Sequence, residues 1–161
     1  MKDWDTTFLE IANIFAQRSS CVKRKVGAVL VKDLRVVSTG YNGTPSGFVN
    51  CDQVFKNGSK EGLLVIKHGN KIHNMTVETI THHNFAERYE IHAEQNCLMI
   101  AAQNGISTKD CTLYVTTAPC VQCAKLIIAA GIKRVVYKEV YKENFGLDLL
   151  HLCGIETKQI D

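Results

Sequence analysis

The sequence predicts an α/β fold, a three-layer α-β-α arrangement around a central mixed five-stranded sheet. Three observations carry this: an amphipathic opening segment, two short β-branched runs close enough to form a hairpin, and alternating strand-like and helix-like segments in the second half of the chain. A tight hairpin is antiparallel, whereas strands joined by helical crossovers run parallel, so a sheet built from both must be mixed.

From about Asp5 to Arg18, the apolar residues Phe8, Leu9, Ile11, Ala12, Ile14 and Phe15 recur at helical spacing behind Thr6-Thr7, which predicts an amphipathic helix. Val26 to Val31 and Val36 to Tyr41 are β-branched runs bounded by Asp33, Gly40 and Gly43, and are expected to pair as strands. Between Asn42 and about Tyr89 the texture changes. Asn57-Gly58 and Gly69-Asn70 mark turns and only Leu63 to Lys67 looks β-like, so this stretch is expected to be an insertion with little core, loop-rich over about 52–85. A helix then runs from about Ile91 to Asn104, a strand from Thr112 to Val115, a helix from Cys120 to Ala130 and a strand from Arg134 to Tyr137. A short helix at Leu147 to Cys153 and a last strand at Ile155 to Gln159 follow. At 161 residues, the chain 1–161 is expected to be one domain carrying that insertion.

The composition, 45% hydrophobic and 22% charged, contains no apolar run near the roughly 20 residues that a membrane helix needs, so no membrane partner is expected. Met1-Lys2-Asp3-Trp4-Asp5 lacks the basic-then-apolar plan of a secretory signal, which places the expectation in the cytoplasm, the host's if the source is viral. The formal charge is +3 with cations scattered among 16 acidic residues, an argument against long nucleic acid as a partner. Seven cysteines without a signal segment favour metal binding or catalysis over a disulfide framework.

The chemistry concentrates in His92-Ala93-Glu94 and Pro119-Cys120-Val121-Gln122-Cys123, at the starts of two predicted helices. Together they form the H-x-E and P-C-x-x-C pair of the zinc deaminases. Two thiolates three residues apart at a helix start face one point, and an imidazole supplies a third donor, leaving the fourth zinc position for water. Pro119 suits a first helical position, and the positive helix end favours ionised thiols. A zinc neutralised by two thiolates acidifies water only weakly, so a nearby proton acceptor is needed, and Glu94 fits that role. The scheme is attack of water on C4 of a cytosine-type base, with Glu94 carrying protons to N3 and then to the leaving amine. A structural zinc site or a redox pair is the plainer reading of the cysteines, but no further cysteine pair supplies a fourth ligand.

With Lys25-Val26-Gly27-Ala28-Val29, Ser38-Thr39-Gly40-Tyr41-Asn42-Gly43, Ile91-His92-Ala93-Glu94, Tyr114-Val115-Thr116 through Cys123, and Ala130-Gly131-Ile132-Lys133, the chain resembles the cytidine and deoxycytidylate deaminase superfamily over most of its length. Within it, the chain more closely resembles the phage-type dCMP deaminases. The resemblance implies a cytidine deaminase-like fold, zinc on His92, Cys120 and Cys123, proton transfer by Glu94, and substrate contact by Asn42. Lys25, Val26, Ala93, Thr116 and Ala118 are further expected substrate contacts. It implies dCMP as substrate, dUMP as product for thymidylate synthesis, activation by dCTP, inhibition by dTTP, and a hexamer.

The resemblance also implies a second, structural zinc on Cys21, Cys51, His82 and Glu90, with His83 as a competing ligand. Cys97, Cys111 and Cys153 read as buried small hydrophobes, and His68, His73 and His151 are given no role. Lys23 and Arg24, beside Lys25, are phosphate candidates. Gly40, Tyr41, Gly43, Pro45 and Gly47 are candidates for a regulatory triphosphate, with Mg2+ accompanying it. Other readings of the same strings are a deaminase acting on dCTP as well, a tRNA adenosine deaminase, and a non-catalytic zinc-stabilised interaction module.

Overall fold

The computed structural model describes residues 3–69, 75–140 and 145–161; Asn70 and His73 lie outside them. The elements are α1 (Trp4–Ala16), β1 (Gly27–Lys32), β2 (Arg35–Tyr41), α2 (Cys51–Val54), a 3₁₀ turn (Lys56–Gly58), β3 (Glu61–Lys67), β4 (Met75–Thr81), α3 (His82–Tyr89), α4 (Ala93–Gln103), β5 (Thr112–Thr117), α5 (Val121–Ala129), β6 (Arg134–Glu139), α6 (Phe145–Leu152) and β7 (Glu156–Gln159). They form two compact units, one from the segments 1–19, 25–42 and 92–161, the other from 20–24 and 43–91. No helix among the described residues is long and apolar enough to cross a membrane.

The first unit holds a five-stranded sheet in the order β2-β1-β5-β6-β7. β1 is antiparallel to both β2 and β5, while β5, β6 and β7 run parallel, which is the mixed sheet expected. The hairpin closes on Asp33 and Leu34, both at positive φ (49° and 58°), the backbone a two-residue hairpin turn requires. Alternate residues of β1 face opposite layers. Ala28 and Leu30 join a core with Cys97 and Leu98 of α4, Ile127 of α5 and Leu150 of α6, whereas Val29 and Val31 pack with Phe8, Leu9 and Ala12 of α1.

The opening helix starts earlier than Thr6-Thr7 suggests, because Asp3 is its cap: the Asp3 side chain accepts the N–H of Thr6 at 2.8 Å. Asp5 then ties α1 to the sheet. Its carboxylate receives Nη1 and Nη2 of Arg134 at 2.7 and 2.9 Å, Nζ of Lys158 at 2.8 Å and the hydroxyl of Tyr114 at 2.9 Å.

The second unit differs from the loop-rich, core-poor reading of 52–85. β3 and β4 form an antiparallel hairpin from Glu61↔Thr81 to Lys67↔Met75, and Cys51, Val54, Phe55, Leu64, Ile80 and Phe85 make a buried cluster with Cys21. Periodicity hides this core because its aromatic residues, Phe48, Phe55 and Phe85, sit outside the strands, while Leu63, Val65 and Val77 within the hairpin are exposed. Asn57 and Gly58 do form a turn, both at positive φ.

Candidate active site

His92 is the N-cap of α4 and Cys120 the N-cap of α5. Both have extended backbones, with ψ of 156° and 169°, the conformation that turns an N-cap side chain back over the helix end. Pro119 therefore stands one residue ahead of the cap rather than at the first helical position. Cys123 lies one turn on, fully buried. The Nδ1 of His92 is 3.3 Å from Cys123 Sγ and 3.6 Å from Cys120 Sγ, and the three donor atoms lie within 4.8 Å of one another. Tetrahedral zinc with its usual bond lengths sets sulfur and nitrogen ligands about 3.5 Å apart, so this donor set fits zinc in both chemistry and spacing.

Local features hold the ligands in place. Gln95 Oε1 accepts the backbone N–H of His92 at 2.8 Å, which fixes the cap from within the same turn. A hydrogen bond from the Cys123 thiol, with His92 alongside, lowers the Cys120 pKa to about 3, and Cys123, retaining the shared proton, is correspondingly raised. A soft cation takes the place of such a proton, and the positive ends of two helices favour the thiolates it needs.

Glu94, in the first turn of α4, is 4% exposed. Burial raises its pKa, opposed by its own backbone N–H and by His92. Its carboxyl also hydrogen-bonds with the Cys123 side chain, which places it beside the donor set without being one of the three. A buried carboxyl so placed takes up a proton more readily than an exposed one and can pass it to a neighbour.

The profile described as the cytidine and deoxycytidylate deaminase zinc-binding region matches residues 2–139. The chain belongs to the cytidine and deoxycytidylate deaminase family. Within that family it is 40% identical to the deoxycytidylate deaminase of Enterobacteria phage T2 over 171 residues, covering 94% of this chain and 89% of the relative. It is 41% identical to the deoxycytidylate deaminase of Mycobacterium phage D29, covering 84% and 94%. The crystal structure of the dCMP deaminase of cyanophage S-TIM5 in complex with dCMP and dUMP superposes with a TM-score of 0.74 at 30% identity, covering 99% of each chain.

The remaining predicted residues fall into distinct places. Asn42 is 8% exposed; its Oδ1 accepts the N–H of Val26 at 2.8 Å and its own N–H donates to the Val26 carbonyl at 3.1 Å. Thr116 Oγ1 accepts the N–H of Gly27 at 3.1 Å, Ala93 is fully buried between His92 and Glu94, and Ala118 N–H donates to the Glu139 carbonyl at 2.7 Å. The side chains of Lys23, Arg24 and Lys25 are exposed. The main-chain N–H groups of Arg24 and Lys23 donate to Cys21, a role the sequence does not announce.

In the second unit, Cys21, Cys51, His82 and Glu90 bring one ligand atom each within 4.8 Å of one another, with His82 Nε2 3.4 Å from Cys21 Sγ. The Cys51 thiol and the two backbone N–H groups hold the Cys21 pKa near 4, while Cys51 is raised by the same shared proton. His82 is buried, whereas His83 is 85% exposed and faces Glu87. Of the cysteines read as buried, Cys97 and Cys111 are so, but Cys153 is exposed because α6 ends at Leu152 and the thiol follows in the turn.

Among the triphosphate candidates, Gly40 is accounted for by packing: a Cβ there would lie 2.4 Å from the Ala93 carbonyl and 2.5 Å from Cys97 N. Gly43 exchanges two backbone hydrogen bonds with Ile91, and Gly47 (φ 88°) lies in the turn where Phe48 N–H donates to the Pro45 carbonyl.

Proposed function

We propose that the protein hydrolyses dCMP to dUMP and ammonia, and that it does so with zinc held by His92, Cys120 and Cys123. The observation that carries this reading is a buried Glu94 beside a donor set of zinc spacing, in a chain of this family. Zinc bound there supplies Lewis-acid activation of water at neutral pH. The Glu94 carboxylate accepts the proton that water loses as its oxygen bonds to C4 and delivers it to N3 of the base; it then takes the proton of the new C4 hydroxyl and passes it to the amine as the C4–N bond breaks, leaving the C4 carbonyl and ammonia. Helix N-termini at His92 and Cys120 keep the surrounding donors ionised. Asn42, whose Oδ1 accepts the Val26 N–H, is the side chain this reading assigns to contact with the nucleotide.

The same proposal places a second zinc on Cys21, Cys51, His82 and Glu90, where four protein donors leave no position for a reacting water and the ion's role is structural. On the family resemblance it includes one catalytic domain over 1–161, a hexamer, supply of dUMP for thymidylate synthesis, and activation by dCTP with Mg2+ against inhibition by dTTP. Ammonia release from dCMP, dCTP, deoxycytidine and CMP, with and without dCTP or dTTP, alongside zinc per chain, tests the reading. Turnover of dCMP by a protein with two zincs supports it; activity on the nucleoside alone, or on no monomer, contradicts it.

A further inference from the structure

Three features help to join the helix that carries Glu94 to the strand that leads to Asn42. Ser38 Oγ donates to the Cys97 carbonyl at 2.7 Å, Gly40 allows β2 to approach the Ala93 carbonyl, and Asn96 Nδ2 donates to the Tyr41 carbonyl at 2.7 Å. The last of these bears directly on Asn42. The Tyr41 carbonyl and the Asn42 N–H belong to one planar peptide group. Asn96 holds its oxygen while the Val26 carbonyl holds its N–H at 3.1 Å, and the Val26 N–H holds the Asn42 side chain at 2.8 Å.

Asparagine is less favourable than alanine within a helix, so its place in α4 calls for a compensating contact, and the Tyr41 carbonyl supplies one. The geometry points to Asn96 as a positioning residue that fixes Asn42 in the frame of Glu94, two residues away on the same helix. This rests on the reading of Asn42 as a substrate contact. Its effect is on how firmly the Asn42 side chain is held for the nucleotide in ground and transition state alike, so its loss is read in KM rather than in kcat.

Steady-state kinetics on dCMP with Asn42→Ala, Asn96→Ala, the double variant and Ser38→Ala test it on the zinc-loaded enzyme. Asn96→Ala is expected to raise KM about tenfold with kcat within about threefold and zinc content unchanged, in line with loss of one hydrogen bond. In the Asn42→Ala background the same change is expected to add less than about twofold, because its path to the substrate is gone. Ser38→Ala, which loses a contact on the same pair of elements, is expected to lower Tm and leave KM within about twofold.

Asn96→Asp keeps the volume but replaces the donor by a charged acceptor facing the Tyr41 carbonyl, so it breaks the contact even if the alanine variant does not fold. An Asn96 variant that lowers Tm without moving KM, while Asn42→Ala raises KM, overturns this inference alone. Additive effects in the double variant overturn it equally. Asn42→Ala without effect on KM overturns the substrate reading, and this inference with it.

Discussion

His92 Nδ1 lies 3.3 Å from Cys123 Sγ although 31 residues separate them, and the contact joins the N-terminal turns of α4 and α5. It is made where the chain leaves β5, at the carboxyl end of a parallel strand, the end at which open α/β sheets place their ligands. Two helix starts aimed at one point gather thiolate, imidazole and carboxyl chemistry on a rigid frame, which is why short local strings suffice to specify it.

Removing either sulfur should therefore cost one zinc. Cys123→Ser and Cys120→Ser are each expected to lower zinc by one per chain and to abolish turnover of dCMP, with the greater loss of Tm for Cys123, which is fully buried. Metal analysis and thermal melts check this.

The second cluster gives a different signature. Cys51→Ala and His82→Ala are expected to lose the other zinc and to speed proteolytic cleavage within 43–91, because the ligands sit in that unit's own buried cluster. His83→Ala, altering an exposed side chain, is expected to keep both metals.

Gly146 of α6 comes so near the zinc-ligand turn that a Cβ there would lie 2.0 Å from the Pro119 carbonyl. Gly146→Ala is expected to destabilise the fold by about 2–3 kcal/mol and to weaken zinc retention, as overpacking pushes Cys120 from its place. Chelator competition at fixed zinc compares the two proteins.

The ion pair of Asp5 with Arg134 predicts a pH dependence. Arg134, with Lys158 and Tyr114, holds the folded-state pKa of Asp5 far below the usual carboxylate range. A depressed carboxylate contributes stability that is present above its unfolded pKa, about 4, and is lost as pH falls below that. Asp5→Asn is expected to cost about 2–3 kcal/mol at pH 7, and the difference from wild type to shrink below pH 4 in denaturant melts.

The reach of the sequence follows from distance along the chain. His92, Glu94, Cys120 and Cys123 were legible because each string is local, and α1, β1, α4 and α5 because their apolar residues keep a period. The β3–β4 hairpin was not, since Leu63, Val65 and Val77 face solvent while Phe55 and Phe85 supply the core from outside the strands. Cys21, Cys51, His82 and Glu90 come from three separated segments and were found through resemblance alone. Asn96 carries no signal in the string, because its partner is a backbone carbonyl 55 residues away. Gln95, by contrast, stands three residues after a helix cap, the position from which a side chain reaches back to the cap's N–H.

The most direct measurement is turnover of dCMP by Glu94→Gln with zinc content and Tm recorded on the same sample. The account predicts two zincs per chain, a fold and melting temperature close to wild type, and a loss of kcat of at least about 100-fold, the scale of general acid–base catalysis. A variant that keeps its zinc and turns over dCMP near the wild-type rate would contradict the assignment of Glu94 as the group that moves the protons.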